Sequence, residues 1–278
     1  MIYILIILLI LIILVILESI RELRCVKVTE YKVSTPRNIT DKKIVFLTDY
    51  HEAKSINNKI IQKIEEIQPD VILIGGDMLN GKTESEDITP TIDLVNNLSE
   101  KFPVYYAMGN HETKVKADYY GTSNLWTSLN ERLSPKVKML INEKVTLDGI
   151  DVYGLDIPTD YYGRIKYPVL SKDSINELLG VPNGEYTILL GHTPDFIDSY
   201  SQWGADLVLS GHFHGGIVRL PFLGGVVSPR MKFFPKYDYG RFEKNNSTMI
   251  VSNGLGQHSM KLRINNIPEV CLINLTKE

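Results

Sequence analysis

Short apolar runs recur along the chain after residue 41, and each of them ends abruptly at a polar residue. The runs Ile44–Thr48, Val71–Ile74 and Val104–Ala107 are too short for helices and are followed by Gly, Asp or Asn. Apolar runs of this length are typical of strands buried in a parallel sheet. Between the first two runs, isoleucines recur with helical spacing, so we predict a helix over Ser55–Gln68 with Ser55 as its N-cap.

The same alternation continues to the C-terminus and predicts an α/β fold. Asp148-Gly149 between two apolar segments is typical of a tight β-hairpin. The further predicted helices are Thr89–Glu100, Lys172–Leu179 and Asp195–Tyr200, and the further predicted strands are Lys144–Leu147, Ile150–Tyr153, Tyr186–Leu190, Leu207–Leu209, Met249–Ser252 and Val270–Leu275. Pro221–Arg241 is rich in Pro, Gly and aromatic residues without periodicity, and we predict a long functional loop there.

The N-terminus has a different pattern, because Met1 to Leu17 is apolar without a break. As a helix, this segment would span roughly 25 to 30 Å, about one bilayer hydrocarbon core. No charged region precedes it and no small-residue cleavage site follows it, which favours an uncleaved anchor over a signal peptide. We therefore predict a transmembrane anchor over 1–20, a linker over 21–40 and one domain over 41–278.

The sidedness of this anchor is predicted from its flanking charges. Arg21, Arg24 and Lys27 follow the apolar run, and the positive-inside rule then keeps the domain on the cytoplasmic side of the cell membrane. The opposite orientation, with an extracytoplasmic domain, stays open because the span is short.

Charge and cysteine content narrow the function classes. The formal net charge of the 278 residues is −3 and no basic stripe occurs, so nucleic acid is not expected as a partner. Cys25 and Cys271 lie apart from all polar strand ends. The sequence therefore indicates neither a disulfide framework nor a thiolate metal site.

Candidate chemistry gathers at five predicted strand ends, which hold five of the six histidines. Because the carboxyl ends of strands in an open α/β sheet share one edge, these residues are expected to converge. Mixed nitrogen and oxygen ligands favour Mn, Fe or Zn over calcium or magnesium. The candidate residues are Asp49, His51, Asp77, Asn110, His111, His192, His212 and His214. His258 has no partner motif, and we expect a structural role for it.

These residues form ordered motifs that resemble those of the calcineurin-like metallophosphoesterases. The resemblance covers essentially all of 41–278, and the tail from His214 to Val270 is similar to the bacterial membrane-associated branch. That branch includes phosphodiesterases and UDP-2,3-diacylglucosamine hydrolases of the lipid A pathway. The motifs are Asp49-Tyr50-His51, Gly76-Asp77, Gly109-Asn110-His111-Glu112, Gly191-His192 and Gly211-His212-Phe213-His214.

The resemblance implies a four-layer α/β/β/α sandwich with the site at the strand ends. It implies two divalent metal ions, the first held by Asp49, His51 and His214, the second by Asn110, His192 and His212, with Asp77 bridging them. His111 would be the catalytic residue. Glu112 would either orient the His111 ring or be a solvated neighbour.

The chain departs from the family pattern at three places, and these put the substrate in doubt. Glu52 stands where relatives commonly have a small apolar residue, and Ile217 replaces a frequent Gln. The Asp-Arg extension of protein phosphatases is missing after Asp77, which disfavours phosphoprotein substrates.

The leading interpretation is a membrane-anchored metallophosphoesterase that cleaves phosphodiester or pyrophosphate bonds through a metal-bridging hydroxide. Its substrate would be a phosphorylated small molecule or a lipid-linked molecule at the bilayer. Arg219, Arg230, Lys232 and Lys236, beside Phe222, Phe233 and Phe234, could meet anionic headgroups or be ordinary surface charge. The alternatives are a broad-specificity phosphomonoesterase and a catalytically silent, metal-dependent binding protein.

Overall fold

The computed structural model describes residues 1–163, 167–228, 231–257 and 262–278, so Arg230 and His258 lie outside the described residues. Within these ranges the helices are α1 Ile2–Glu22, α2 Asn57–Ile67, α3 Thr89–Ser99, α4 Asn110–Lys116, α5 Ser123–Arg132, α6 Lys172–Leu179 and α7 Ile197–Trp203. The strands are β1 Lys27–Thr35, β2 Lys42–Leu47, β3 Val71–Ile74, β4 Val104–Ala107, β5 Val137–Leu140, β6 Glu143–Leu147, β7 Ile150–Leu155, β8 Tyr186–Gly191, β9 Leu207–Ser210, β10 Arg219–Leu220, β11 Gly224–Gly225, β12 Gly240–Lys244, β13 Ser247–Val251 and β14 Glu269–Lys277.

The strands form two six-stranded sheets of mixed direction. The first has the order β1-β14-β2-β3-β4-β5 and the second has the order β12-β13-β9-β8-β7-β6. The neighbours from β2 to β5 and from β13 to β7 are all parallel, and antiparallel pairs occur only toward the margins. The parallel strands β3, β7, β8, β9 and β13 are buried at every position and hence on both faces, which explains their apolar runs.

The two sheets pack face to face and each is covered by helices. Phe46 and Leu73 of the first sheet share an apolar cluster with Ile188 and Leu209 of the second. Because neighbouring residues in a strand point to opposite faces, the next positions along each strand face outward toward helices. On the first sheet these positions pack on α2 and α3, and on the second they pack on α6 and α7. The predicted four-layer α/β/β/α sandwich is confirmed.

Most predicted elements occur within two residues of their expected bounds, and the two helices that start later than predicted share one cause. Lys54–Ile56 form a 3-10 turn before α2, so Ser55 lies inside that turn and does not cap the helix. Pro194–Phe196 likewise form a 3-10 turn that precedes α7. A 3-10 turn is common at the start of an α-helix, and helical periodicity does not distinguish the two.

The linker expected over 21–40 is not connecting chain along its whole length, because part of it forms a strand. Residues Lys27–Thr35 form β1, which pairs in parallel with β14 along its whole length. Its exposed and half-buried residues alternate until Val33, which is buried, so the strand lacks a continuous apolar run. The strand therefore gives a weak signal in the sequence.

The N-terminal helix α1 is long and apolar enough to cross a membrane, and residues 1–17 are exposed or nearly so. Its last turns pack on the rest of the protein, since Ser19 and Glu22 are buried. Arg263 N–H donates to Ser19 Oγ at 3.0 Å, and Asn266 N–H donates to Glu22 Oε2 at 2.9 Å. The end of α1 is thus fixed to the segment that precedes β14.

The long loop predicted over Pro221–Arg241 contains some regular structure. Strands β10 and β11 form a small antiparallel hairpin, and β12 already begins at Gly240. The tip of this region carries exposed Phe, Leu and Met side chains.

Candidate metal centre

The eight polar residues predicted from the sequence lie together at one edge of the two sheets. Each follows the end of a strand, and none is more than 7% exposed. The residues are Asp49 and His51 after β2, Asp77 after β3, Asn110 and His111 after β4, His192 after β8, and His212 and His214 after β9.

The first group consists of Asp49, His51 and His214. His214 Nε2 lies 3.2 Å from Asp49 Oδ1 and 3.2 Å from His51 Nε2. Asp49 is held in place from behind, because the backbone N–H of His212 and the hydroxyl of Thr48 both donate to its carboxylate. One carboxylate oxygen and two ring nitrogens therefore converge on one point.

The second group surrounds Asp77, whose two oxygens have different surroundings. Asp77 Oδ1 accepts a hydrogen bond from the His111 backbone N–H at 2.8 Å. Asp77 Oδ2 lies 3.1 Å from His192 Nε2 and 4.0 Å from the Nε2 atoms of both His51 and His111. Because His51 also belongs to the first group, Asp77 stands between two clusters of potential ligands.

Asn110 and His212 complete the second side of the site. Asp77, His192 and His212 offer ligand atoms that all lie within 4.8 Å of one another. One terminal atom of the Asn110 carboxamide lies 2.7 Å from His212 Nδ1 and 3.2 Å from Asp77 Oδ2. The amide therefore faces the same space as the carboxylate and the imidazole.

The hydrogen bonds of three histidines fix which ring nitrogen faces the centre. The Nδ1 atoms of His51, His192 and His111 contact the backbone carbonyls of residues 79, 75 and 80, respectively. A carbonyl only accepts hydrogen bonds, so each Nδ1 carries a proton, and in the neutral ring the lone pair is on Nε2, the nitrogen that a metal ion would bind. This backing is typical of histidines that bind metals.

This donor set fits divalent cations. Lone pairs of imidazole and carboxylate groups point at one another in a buried space, an arrangement that is costly unless a positive charge lies between them. Nitrogen and oxygen donors without a thiolate suit Mn, Fe or Zn. The described residues thus contain clusters of His and Asp that could hold metal ions.

The charges of the site influence one another strongly. Burial opposes ionisation of Asp49, but the neighbouring His214 and His192 hold its pKa at about 2. Burial also opposes protonation of His192, but Asp77 and Asp49 raise its pKa to about 9. A proton on His192 thus supplies positive charge of the kind that a cation would supply.

The backbone around the site adopts strained conformations. Asp49, His51, Asp77, His212 and His214 all have φ between 45° and 69°. Non-glycine residues in this region cost about 1–3 kcal/mol each and cluster at functional sites. Ile217, the departure noted in the sequence, has φ 50° and ψ −64°, a rare conformation for a β-branched residue. The chain therefore bends sharply to aim these side chains inward.

Two glycines of the motifs allow the close packing of neighbouring loops. A Cβ on Gly76 would overlap the backbone of Gly109, and a Cβ on Gly211 would overlap the Asp49 carboxylate. The Gly-Asp, Gly-Asn-His and Gly-His motifs can therefore approach one another only with glycine at these positions.

The expectation that Glu112 is a solvated neighbour is wrong, because its side chain is buried and its carboxylate binds the loop that carries Asp77. The expectation that Glu112 orients the His111 ring stays a prediction. Glu112 is fully buried and accepts hydrogen bonds from the backbone N–H groups of Asp77, Met78, Leu79 and Gly109, and from the Tyr106 hydroxyl. Burial and the nearby Asp77 raise the pKa of Glu112. Its role is to hold the loop that carries Asp77.

Sequence reasoning missed two further residues that shape the site. Asn80 accepts from His111 Nδ1 through its carbonyl and donates through its side chain to His51 O. Arg263 is 2% exposed, and its guanidinium donates to carbonyls of the 253–256 loop and to Asn266 O. Burial lowers the pKa of Arg263 to about 10. The only available signal for Asn80 was its nearness to Asp77, and Arg263 gave none.

The basic residues near the long loop are mostly engaged within the protein. Arg219 donates to Asp238 Oδ2 at 2.8 Å and to Gly215 O at 2.7 Å. Lys232 lies 3.2 Å from Asp195. Arg219 is therefore a structural residue of the hairpin, not an exposed anion contact.

A cavity of about 720 Å³ opens beside His51. Polar groups of Glu52, Asn80 and Glu86 line it, and burial raises the pKa of Glu52 to about 10. Leu23, the residue that follows α1, lines the cavity as well. The cavity thus joins the candidate metal centre to the place where α1 meets the domain.

Comparison with known proteins agrees with this architecture. A family model described as calcineurin-like phosphoesterase matches residues 42–216. The chain is 30% identical over 257 residues to an uncharacterized metallophosphoesterase of Campylobacter jejuni, which covers 91% of this chain and 64% of that protein. It is 26% identical over 273 residues to the metallophosphoesterase YkuE of Bacillus subtilis, which covers 91% of this chain and 87% of that protein.

A vertebrate relative is also similar. The chain is 27% identical over 250 residues to a zebrafish protein named transmembrane protein with metallophosphoesterase domain, which covers 86% of this chain and 54% of that protein. The chain spans less than two thirds of the length of the Campylobacter and zebrafish relatives.

Proposed function

The chain belongs to the calcineurin-like phosphoesterase family, whose members are metal-dependent phosphoester hydrolases, and we propose that it cleaves phosphodiester or pyrophosphate bonds at a dinuclear metal centre. The observation that carries this proposal is the position of Asp77 between two clusters of potential ligands. A carboxylate shared by two clusters could contact two metal ions at once, which suits a two-metal site.

Seven residues would hold the metals. Asp49, His51 and His214 would bind one ion, Asn110, His192 and His212 the other, and Asp77 would bridge them. Bound there, the two cations would supply activation of water and neutralisation of phosphoryl charge. Mn, Fe and Zn all suit this donor set.

The residues of the chain would orient the substrate and move one proton. The Asp77 carboxylate is fixed through Oδ1 by His111 N–H, which leaves Oδ2 turned into the site. His111 Nδ1 donates to Asn80 O, so in the doubly protonated ring of His111 the proton on Nε2 is the one that would pass to the leaving oxygen, and the neutral ring would remain.

The cavity beside His51 supports a diester or pyrophosphate substrate over a simple monoester. Its volume of about 720 Å³ gives room for a group on the far side of the phosphorus atom. Because Leu23 lines the same cavity, we propose that the substrate is presented at the membrane surface, as a lipid-linked molecule would be.

The membrane part of this proposal rests on α1. A helix whose first 16 positions, residues 2–17, are exposed apolar side chains is favourable in lipid and costly in water. Ser19 and Glu22 belong to the hydrogen-bond network of the folded protein, which favours an uncleaved anchor over a removed signal peptide. Arg21, Arg24 and Lys27 favour a cytoplasmic domain.

The test compares two chromogenic substrates on the full chain in detergent with added Mn²⁺. We expect bis(p-nitrophenyl) phosphate to turn over about tenfold faster than p-nitrophenyl phosphate. A faster monoester would instead indicate a broad phosphomonoesterase. Stoichiometric metal binding without turnover of either ester would indicate a binding protein and contradict the proposal.

A further inference from the structure

Five large apolar side chains are exposed together near the long loop, and we call them the apolar tip. Phe222 is fully exposed, and the exposed fractions of the others are 65% for Leu223, 58% for Met231, 68% for Phe233 and 56% for Phe234. Outside an interaction site, a soluble surface rarely presents so many apolar side chains in one place.

The backbone places the two halves of the apolar tip, residues 222–223 and the apolar residues of 231–234, on one hairpin and on the segment that pairs with it. Phe222 and Leu223 form the turn of the β10–β11 hairpin. The second half returns along the same hairpin, because Phe234 N–H donates to Val226 O at 3.0 Å and Phe233 forms a bridge with Val227. Backbone hydrogen bonds of the hairpin and of the segment that pairs with it therefore fix the position of the apolar tip.

The base of this hairpin is joined to the end of α1. Val218 bridges Ile264 in parallel, and Arg219 N–H donates to Ile264 O at 3.0 Å. The residues on either side of Ile264 hold α1, since Arg263 bonds to Ser19 and Asn266 bonds to Glu22. One short segment thus carries both the end of the apolar helix and the base of the hairpin.

The charges around these features suit the surface of a bilayer. Lys232 lies within the second half of the tip and Lys236 follows it, and Arg21, Arg24 and Lys27 lie in the last turn of α1 and after it. Aromatic and aliphatic side chains bordered by Lys and Arg are typical of segments that lie in the interface between headgroups and acyl chains.

We propose that the apolar tip inserts into the headgroup interface of the leaflet from which α1 leaves the membrane. The protein then meets the bilayer at two points, and the edge of the sheets with the metal centre is held against the lipid surface. The proposal rests on the proposed function only for the insertion of α1. A second copy of the chain is the competing occupant of the tip.

The test uses tryptophan fluorescence of the full chain in vesicles of phosphatidylcholine and phosphatidylglycerol, with and without bromine-labelled acyl chains. In the Phe222→Trp variant we expect blue-shifted emission and quenching by the brominated lipid beyond that of the unmodified protein. Phe222 is fully exposed, so the replacement does not disturb the fold.

Two matched variants place the same probe on the membrane helix and on a surface that should not touch the membrane. Leu9→Trp reports on α1, and Val181→Trp reports on an exposed apolar residue that lies before β8, at the sheet edge opposite the site. Quenching of the residue 222 and residue 9 probes without quenching of the residue 181 probe supports the proposal. If the probe at 222 is not quenched while the probe at 9 is quenched, the proposed insertion of the apolar tip is overturned and the transmembrane anchor is supported.

Further outcomes decide whether the apolar tip contacts the membrane or a second copy of the chain. Quenching at 222 without quenching at 9 supports the tip and contradicts the anchor of the proposed function. A blue shift at 222 in detergent that grows with protein concentration, with no lipid quenching, assigns the tip to a second copy and overturns the proposal. The Phe222→Ser variant should keep full turnover of the soluble diester, because the tip is not part of the site.

Discussion

At the scale of single residues, Asp77 makes the sharpest prediction, because its Oδ2 faces the Nε2 atoms of three histidines. Asp77→Asn keeps the size of the side chain and removes its charge. We expect bound metal to fall and turnover of the diester to drop on the order of 10³-fold. Mass spectrometry of bound metal and steady-state kinetics measure both effects, with the exposed Asp173→Asn as control. Full metal content with full activity would end the dinuclear assignment.

The residue scale also shows where sequence reasoning succeeds and where it fails. The eight candidate residues could be predicted because each directly follows an apolar strand, and strand ends meet at one edge. Glu112 could not be assigned correctly from its place beside His111. Three of its five partners are backbone N–H groups of residues 77–79, more than 30 positions away, and only the folded loops bring these together.

At the scale of structural elements, Arg263 holds the loop that supports Asp49. Its guanidinium binds the carbonyls of Asn253, Gly254 and Gly256, and the N–H of Gly256 donates to Asp49 O at 2.6 Å. Arg263→Met removes the guanidinium donor from these buried carbonyls, of which Gly254 O keeps the Glu269 N–H, so we expect a loss of about 3 kcal/mol in the free energy of unfolding. Urea unfolding measures it, and the exposed Arg241→Met should change stability little.

The β6–β7 hairpin predicts a pH dependence of stability. Burial works against the ionised Asp151, but Lys144 and Thr146 bond to it at 2.6 and 2.5 Å and lower its pKa. A lowered folded pKa stabilises the protein above the unfolded value of about 3.9, and this stabilisation is lost as the pH falls through the folded pKa. We therefore expect Asp151→Asn to cost about 1–2 kcal/mol near neutral pH and progressively less in acid.

Urea unfolding of both proteins between pH 3 and pH 7 checks this prediction. A difference in stability that stays constant over the whole range would show that the charge of Asp151 does not contribute. The same hairpin was predictable from Asp148-Gly149, whereas β1 was not. The pairing of β1 with β14 joins residues more than 240 positions apart, so no turn motif in the sequence predicts it.

At the scale of the whole molecule, Asn266 connects the apolar helix to the metal centre. Asn266 N–H donates to Glu22 Oε2 at 2.9 Å, and the Asn266 side chain donates to His214 O at 2.7 Å. The buried end of α1 therefore helps to fix the backbone of a proposed metal ligand. The sequence predicted the helix and the ligand separately, but it gave no sign that they are coupled.

Removing this connection should weaken metal binding without touching a ligand. We expect Glu22→Ala to lower the affinity of the full chain for Mn²⁺ by about tenfold, since groups behind metal ligands typically contribute this much. Calorimetric titration in detergent measures the affinity, and Glu18→Ala on the exposed face of α1 is the matched control. If Glu22→Ala lowered thermal stability and left metal affinity unchanged, Glu22 would only attach the helix. A drop in affinity confined to Glu22→Ala would instead make the position of α1 part of how the centre is built.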